Sequence, residues 1–176
     1  MLPTFRTDRL LLRPRTMGDL EDCLAMDRDP RVTQHIAGPW TDPDRHRAFV
    51  VDRIQTRWPD GLGYWTIVPR ADPQTFLGWI LLLPCLDFGD EIEIGWRLPH
   101  RHWGHGYATE AARPVLRHAF DTVGVTAVIA DIHPHNHASI RVAEKLGLRF
   151  VEDRTIAGEP ARSYQIDHTG TGQHAG

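Results

Sequence analysis

A mixed α/β sheet covered by helices on both faces is the fold class that this sequence predicts. Three observations carry it. Segments of strand character and segments of helical period follow one another in the order β-α-α-β-β-β-α-β-α-β-β. A glycine-bearing turn from Arg101 to Ala108 joins an alternating apolar run to a strongly helical one. The chain has 176 residues, 41% hydrophobic and 24% charged, which suits one globular domain with a sizeable core. We expect one domain over 1–168. The tail over 169–176 holds no apolar residue larger than Ala, so it is expected to be mobile unless a partner holds it.

Residues 9–15 read as the first strand. Thr16 is a suitable helix N-cap, with Leu20, Cys23, Leu24 and Asp27 at helical spacing behind it. Pro30 is expected to end that helix, and 32–40 is a turn-rich connection. Asp42-Pro43 starts a second helix with Phe49, Val50, Ile54 and Trp58 on one face, terminated by Pro59-Asp60-Gly61. Strands over 63–69 and 75–83 flank a hairpin signal at 70–74. Another strand is expected over 91–98, then a helix over 107–123. A buried strand over 126–132 leads into a helix over 136–146 that Gly147 caps. Residues 150–156 and 162–167 close the sheet as an antiparallel pair around Gly158-Glu159-Pro160. No internal repeat is present.

The formal net charge of −3 speaks against a general nucleic-acid binder, which needs a basic face. The two cysteines, Cys23 and Cys85, form no disulfide framework and read as small core or near-core residues. No segment reaches the ~18 apolar residues of a membrane span. The start, Met1 to Arg6, lacks the apolar core of a signal peptide. A cytoplasmic location, with neither membrane nor nucleic acid as partner, is the expectation.

The turn carries the chemistry. Gly104 and Gly106 let backbone approach an anion without a Cβ in the way. The helix behind them offers free N–H groups and a positive end, which suits a phosphate or pyrophosphate. No Gly-Lys-Ser/Thr follows, and Thr109 stands where a dinucleotide fingerprint needs Gly or Ala. The pattern that does fit is Arg/Gln-x-x-Gly-x-Gly/Ala. It resembles the pyrophosphate loop of the GNAT N-acetyltransferases. The block Asn136-His137-Ala138-Ser139, continuing to Glu144-Lys145-Leu146-Gly147, resembles that family's second motif. The opening Thr7-Asp8-Arg9-Leu10-Leu11-Leu12-Arg13 and the string Trp103-Gly104-His105-Gly106-Tyr107 resemble the branch of the ribosomal-protein N-terminal acetyltransferases. The likeness runs to about Asp167.

The resemblance implies a mostly antiparallel sheet with one parallel, splayed strand pair, here 91–98 and 126–132. It implies acetyl-CoA as co-substrate and a primary amine as acceptor, either a protein N-terminus or a small molecule. Backbone groups of Arg101, His102, Trp103, Gly104, His105, Gly106, Tyr107 and Ala108 would hold the pyrophosphate, with charge from Arg101. Gly95, Trp96, Arg97 and Leu98 form the edge along which the pantetheine would lie. One N–H there polarises the thioester carbonyl. Trp96 lines the acyl pocket or fills the core. An alkyl amine with a pKa near ~10 must lose a proton before attack, and Glu93 is the leading base, with Glu91 as the weaker alternative. The family's usual Tyr acid is Ala143 here, so Ser139 is the remaining hydroxyl near the leaving thiolate. Asn136 bonds the pantetheine, caps its helix, or does both. A homodimer is the expected assembly.

Other readings stay open. His133-x-His135-x-His137 would suit zinc or nickel if extended. Pro134 and Asn136 read as a strand-to-helix turn instead, so no metal is expected. Glu110, in the first turn of its helix, reads as structural. Acceptor choice is expected to lie with 28–46 and 155–163, in and beside which sit Asp27, Asp29, Asp42, Asp44, Glu152, Asp153 and Glu159. Trp40, Trp58 and Trp65 wall an apolar acceptor or pack the core. A non-enzymatic acyl-CoA sensor, or a transferase of a longer acyl group such as succinyl held by Arg97, are the alternatives.

Overall fold

The computed structural model describes residues 2–85 and 89–168; the expected tail lies outside them. Eight strands form one sheet in the order β1-β2-β3-β4-β5-β6-β8-β7. They are β1 Phe5–Arg6, β2 Leu10–Pro14, β3 Gly63–Pro69, β4 Gly78–Pro84, β5 Ile92–Arg97, β6 Ala127–Ile132, β7 Arg149–Ile156 and β8 Glu159–Asp167. Every neighbouring pair is antiparallel except β5 and β6. That parallel pair meets at Glu93 and Ile129 alone among the described residues. No further pairing joins the two strands among the described residues, which fits the predicted splay.

Five α-helices among the described residues cover the sheet: α1 Leu20–Asp27, α2 Pro30–Thr33, α3 Pro43–Gln55, α4 Tyr107–His118 and α5 His137–Leu146. The strand period of two sends alternate residues to opposite faces. Trp65, Ile80, Leu82 and Ile94 pack with Ala111, Ala112, Val115 and Leu116 of α4 and with Ala143 and Leu146 of α5. Tyr64, Trp79 and Leu83 face the other way, into Leu20, Cys23 and Leu24 of α1 and Val50 of α3. Burying each such large apolar side chain contributes roughly 1.5–3 kcal/mol, so both helical layers are held by the sheet. Cys23 is buried, Cys85 half-buried, and neither forms a disulfide.

Local signals set most element ends. Thr16 builds a capping box with Asp19, and Asp42 accepts from the Arg45 N–H. Gly147 adopts the left-handed conformation that closes α5. Several boundaries differ from expectation. Pro30 starts a helix: its missing N–H suits the first helical position, and Asp29 caps the turn. α3 ends at Gln55, before Trp58. The strand expected from 75 begins at Gly78, because Thr75 closes a turn onto Asp72. A Cβ at Gly78 would sit 2.2 Å from the Arg97 carbonyl oxygen, so this position requires glycine. The α-helix expected over 107–123 ends at His118 and widens into a π turn over Ala119–Val123. The pairing of Phe5–Arg6 with Leu11 and Leu12 adds an edge strand too short for periodicity to show.

Candidate active site

A cleft of about 370 Å³ opens between the N-termini of α4 and α5, below the end of β5. Trp96, Arg97 and Leu98 reach it from β5 and its exit. His102, Trp103, Gly104, Gly106, Tyr107 and Ala108 line it from the turn, and Asn136 and Ser139 from the start of α5. These predicted site residues are brought together. Glu93, Gly95, Arg101 and His105 are not among the residues that line it, and the Arg101 Nε instead donates to His102 Nε2 at 3.1 Å. The chain from Arg31 to Ile36 supplies a wall that no motif marked, and Arg141 and Lys145 add cations from α5.

The turn is built for an anion. Gly104 and Gly106 have φ of +77° and +78°, a region that L side chains rarely adopt. Gly106 is the N-cap of α4 and has no side chain to cap it, so the first-turn N–H groups stay available at the positive end of the helix. Glu110 anchors this turn. It accepts from the Arg9 backbone N–H at 3.0 Å and from Arg9 Nε at 2.6 Å, and Thr7 donates to it as well. A pyrophosphate fits a turn of this shape. We expect Gly106→Val, which forces a β-branched residue into left-handed backbone at a cost of about 1–3 kcal/mol, to weaken acetyl-CoA binding roughly tenfold or more. Calorimetric titration checks this; an unchanged Kd would remove the turn from the binding site.

Two carboxylates, Glu91 just before β5 and Glu93 within it, are driven apart electrostatically. Arg154 grips Glu91 with Nη1 at 2.6 Å and Nη2 at 2.8 Å, which holds that carboxyl below its usual range. Burial, then the neighbouring Asp131 carboxylate, pushes the Glu93 carboxyl up to about 7. The Asp131 backbone N–H and Arg53 oppose this shift. Asp131 itself is buried, 3.6 Å from Arg154 Nη1, and burial raises its carboxyl too. Neither Asp131 nor Arg154 was marked by the sequence reading; the available signal was a carboxylate inside the apolar run 127–132.

Other assignments change. Asp27, counted with an acidic acceptor surface, is buried: Arg97 Nη1 donates to it at 2.9 Å and His46 Nε2 lies 3.2 Å away. The Arg97 guanidinium lies 5.0 Å from the Trp40 ring centroid and 4.9 Å from that of Trp79. Asp29 and Asp42 cap helices, and Glu152 pairs with Arg154. Trp65 is fully buried, while Trp40 packs edge-on against His46 and Phe49. Asn136 caps α5 by accepting from the Ser139 N–H at 3.2 Å, and Trp96 both packs on the core and lines the cleft. His35 stacks on His133 at 4.9 Å, and among the described residues no group of three side chains is arranged to hold a metal ion. Nor, among those residues, is any helix long and apolar enough to cross a membrane.

Comparison with known proteins agrees with this geometry. A family model described as "Acetyltransferase (GNAT) domain" matches residues 9–149. The FsC-acetyl coenzyme A-N(2)-transacetylase of Aspergillus fumigatus is 32% identical over 85% of this chain, which spans 66% of that protein's length. The uncharacterized protein YkkB of Bacillus subtilis is 31% identical, covering 90% of this chain and 92% of its own. The crystal structure of an acetyltransferase from Agrobacterium tumefaciens superposes with a TM-score of 0.77 at 29% identity, over 94% of this chain and 95% of that one. With its splayed strand pair and its glycine turn opening a helix, the chain belongs to the GNAT acetyltransferase family and is an N-acetyltransferase that takes acetyl-CoA as co-substrate.

Proposed function

We propose that this enzyme acetylates a primary amine, foremost the N-terminal amine of a peptide or protein, with Glu93 as the base. The opening segment from Thr7 to Arg13 and the string around Trp103, which resemble the ribosomal-protein N-terminal branch, support that choice of acceptor. One observation carries the mechanism. Glu93 is the residue at which β5 and β6 meet before they part, and its carboxyl is pushed up to about 7. A base poised there accepts a proton from an incoming ammonium at neutral pH, directly or through one water. Glu91 is disqualified by its two hydrogen bonds to Arg154.

Bound acetyl-CoA supplies an acetyl group already activated as a thioester. The remaining work belongs to the chain. The first-turn N–H groups of α4, with Arg141 and Lys145 nearby, hold the phosphates. Of the backbone N–H groups from Gly95 to Leu98, those that point away from β4, towards the side where no pairing with β6 continues among the described residues, can donate to the thioester carbonyl. Ser139 offers a hydroxyl in the cleft, and Ala143, fully buried in the core, offers none. Arg97 is committed to Asp27, which disfavours it as the receptor for a succinyl carboxylate.

The test is thermal unfolding with acetyl-CoA, CoA, succinyl-CoA or NADH, followed by thiol release across an amine panel. A ligand of the folded state at a hundredfold excess over its Kd stabilises by ~2.7 kcal/mol, a shift of several degrees at this size. Acetyl-CoA and CoA should shift the midpoint and NADH should not. Peptide N-termini should release thiol fastest; release with polyamines or aminoglycosides alone would refute the acceptor assignment.

A further inference from the structure

A second pocket, of about 450 Å³, opens on the α1/α3 side of the sheet and is lined by Arg15, Arg53, Arg57, Trp58, Asp60 and Tyr64 among others. Asp60 is the one carboxylate among its described lining residues, against three guanidinium groups. Arg15 lies flat on Tyr64, 3.6 Å from the ring centroid. Its Nε and Nη2 are buried and have no hydrogen-bond partner among the described residues, and the same holds for Trp58 Nε1. Arginines on a surface are ordinarily solvated and need no ligand. Buried guanidinium donors left without an acceptor are costly and rare. The fork of an Arg matches the two oxygens of a carboxylate or phosphate.

The pocket is aligned with the proposed base. Tyr64 pairs with Leu81, and Leu81 with Gly95, two residues beyond Glu93 on the same face. Strand spacing and rise put the Tyr64 and Glu93 backbones about 12 Å apart. The charge of Arg53 is felt at Glu93, and that of Glu93 at Tyr64. We infer that this pocket receives an anionic group, carboxylate or phosphate, carried by the acceptor on the order of 10 Å from the amine that Glu93 deprotonates. A peptide whose second or third residue is acidic has that span, since an extended chain advances about 3.3–3.6 Å per residue. The inference rests on Glu93 as base and a peptide amine as acceptor.

Two measurements on the full chain decide it, each on wild type, Arg15→Gln and Arg57→Gln. Arg57 is exposed, so its variant keeps the test open if removing the Arg15 stack impairs folding. The first is calorimetric titration with glutarate and with inorganic phosphate. Saturable binding of either, weakened at least tenfold by the variants, is expected; glutarate alone identifies a carboxylate, phosphate alone a phosphoryl group. No binding of either anion, or equal binding in wild type and both variants, overturns the site. The second is the ratio of kcat/KM for amidated Ala-Ala-Glu over amidated Ala-Ala-Gln. A ratio of ten or more in wild type that falls towards one in the variants supports the proposal. Anion binding with a wild-type ratio near one overturns the acceptor assignment. Anion binding with neither peptide acetylated refutes the peptide reading and leaves the anion site standing.

Discussion

Glu93→Gln is expected to lower kcat/KM by 10²–10⁴, the range that a positioned general base contributes. Wild-type activity should rise with pH through about 7, where the Glu93 carboxyl ionises, and level off above it. The variant should lose that limb, because glutamine has no proton to release. An unchanged rate and pH profile would exclude Glu93 as the base. The same substitution has an opposite effect on stability. The folded protein keeps the Glu93 proton up to about 7, whereas the unfolded chain releases it at an ordinary 4.5. Between these values the folded state binds more protons, so its stability falls as pH rises and the whole penalty is present above 7. That penalty is on the order of 3 kcal/mol. Glu93→Gln should therefore raise the unfolding midpoint by several degrees at pH 8 and change it little at pH 4. A base whose burial disfavours its own charge is a case in which activity and stability oppose each other.

Asp27→Ala is expected to destabilise the protein by about 3–5 kcal/mol, the effect of removing one partner from a buried ionic group. Asp27 is 3% exposed and His46 is 1% exposed. Without Asp27, the Arg97 guanidinium, whose Nε already lacks a hydrogen-bond partner among the described residues, loses its carboxylate. Trp40 and Trp79 remain against it, but their faces offer about 0.5–2 kcal/mol of attraction, less than the lost pair. Urea unfolding of the variant should show a lower midpoint at an unchanged slope. A midpoint equal to wild type would mean that water replaces the carboxylate without cost. Because Arg97 also lines the candidate cofactor cleft, the acetyl-CoA KM should rise in parallel.

Much of the fold was legible because its signals are local. Thr16, Asp42, Asn136 and Gly147 cap helices at the positions that their side chains or backbone freedom predict. Apolar residues at helical spacing marked α1 and α3, and both pack on the sheet. Pro30 was misread, and Phe5–Arg6 missed, for the same kind of reason. A proline both ends one helix and suits the first position of another, and a two-residue edge strand has no period to detect.

By itself, then, the sequence determined the glycine turn and the order of elements, and with that order the fold class, since each element depends on backbone preferences within a dozen residues or so. Only the tertiary structure distinguishes the two carboxylates, Glu91 just before β5 and Glu93 within it. Glu91 and Glu93 are chemically alike and share a face. They differ because Arg154, 63 positions from Glu91, neutralises one, while burial beside Asp131 raises the other. Likewise Asp27 and Arg97, 70 positions apart, form a buried pair rather than a charged rim. Charge, burial and proton affinity are set by neighbours that folding brings from far along the chain, and no periodicity in the sequence encodes them.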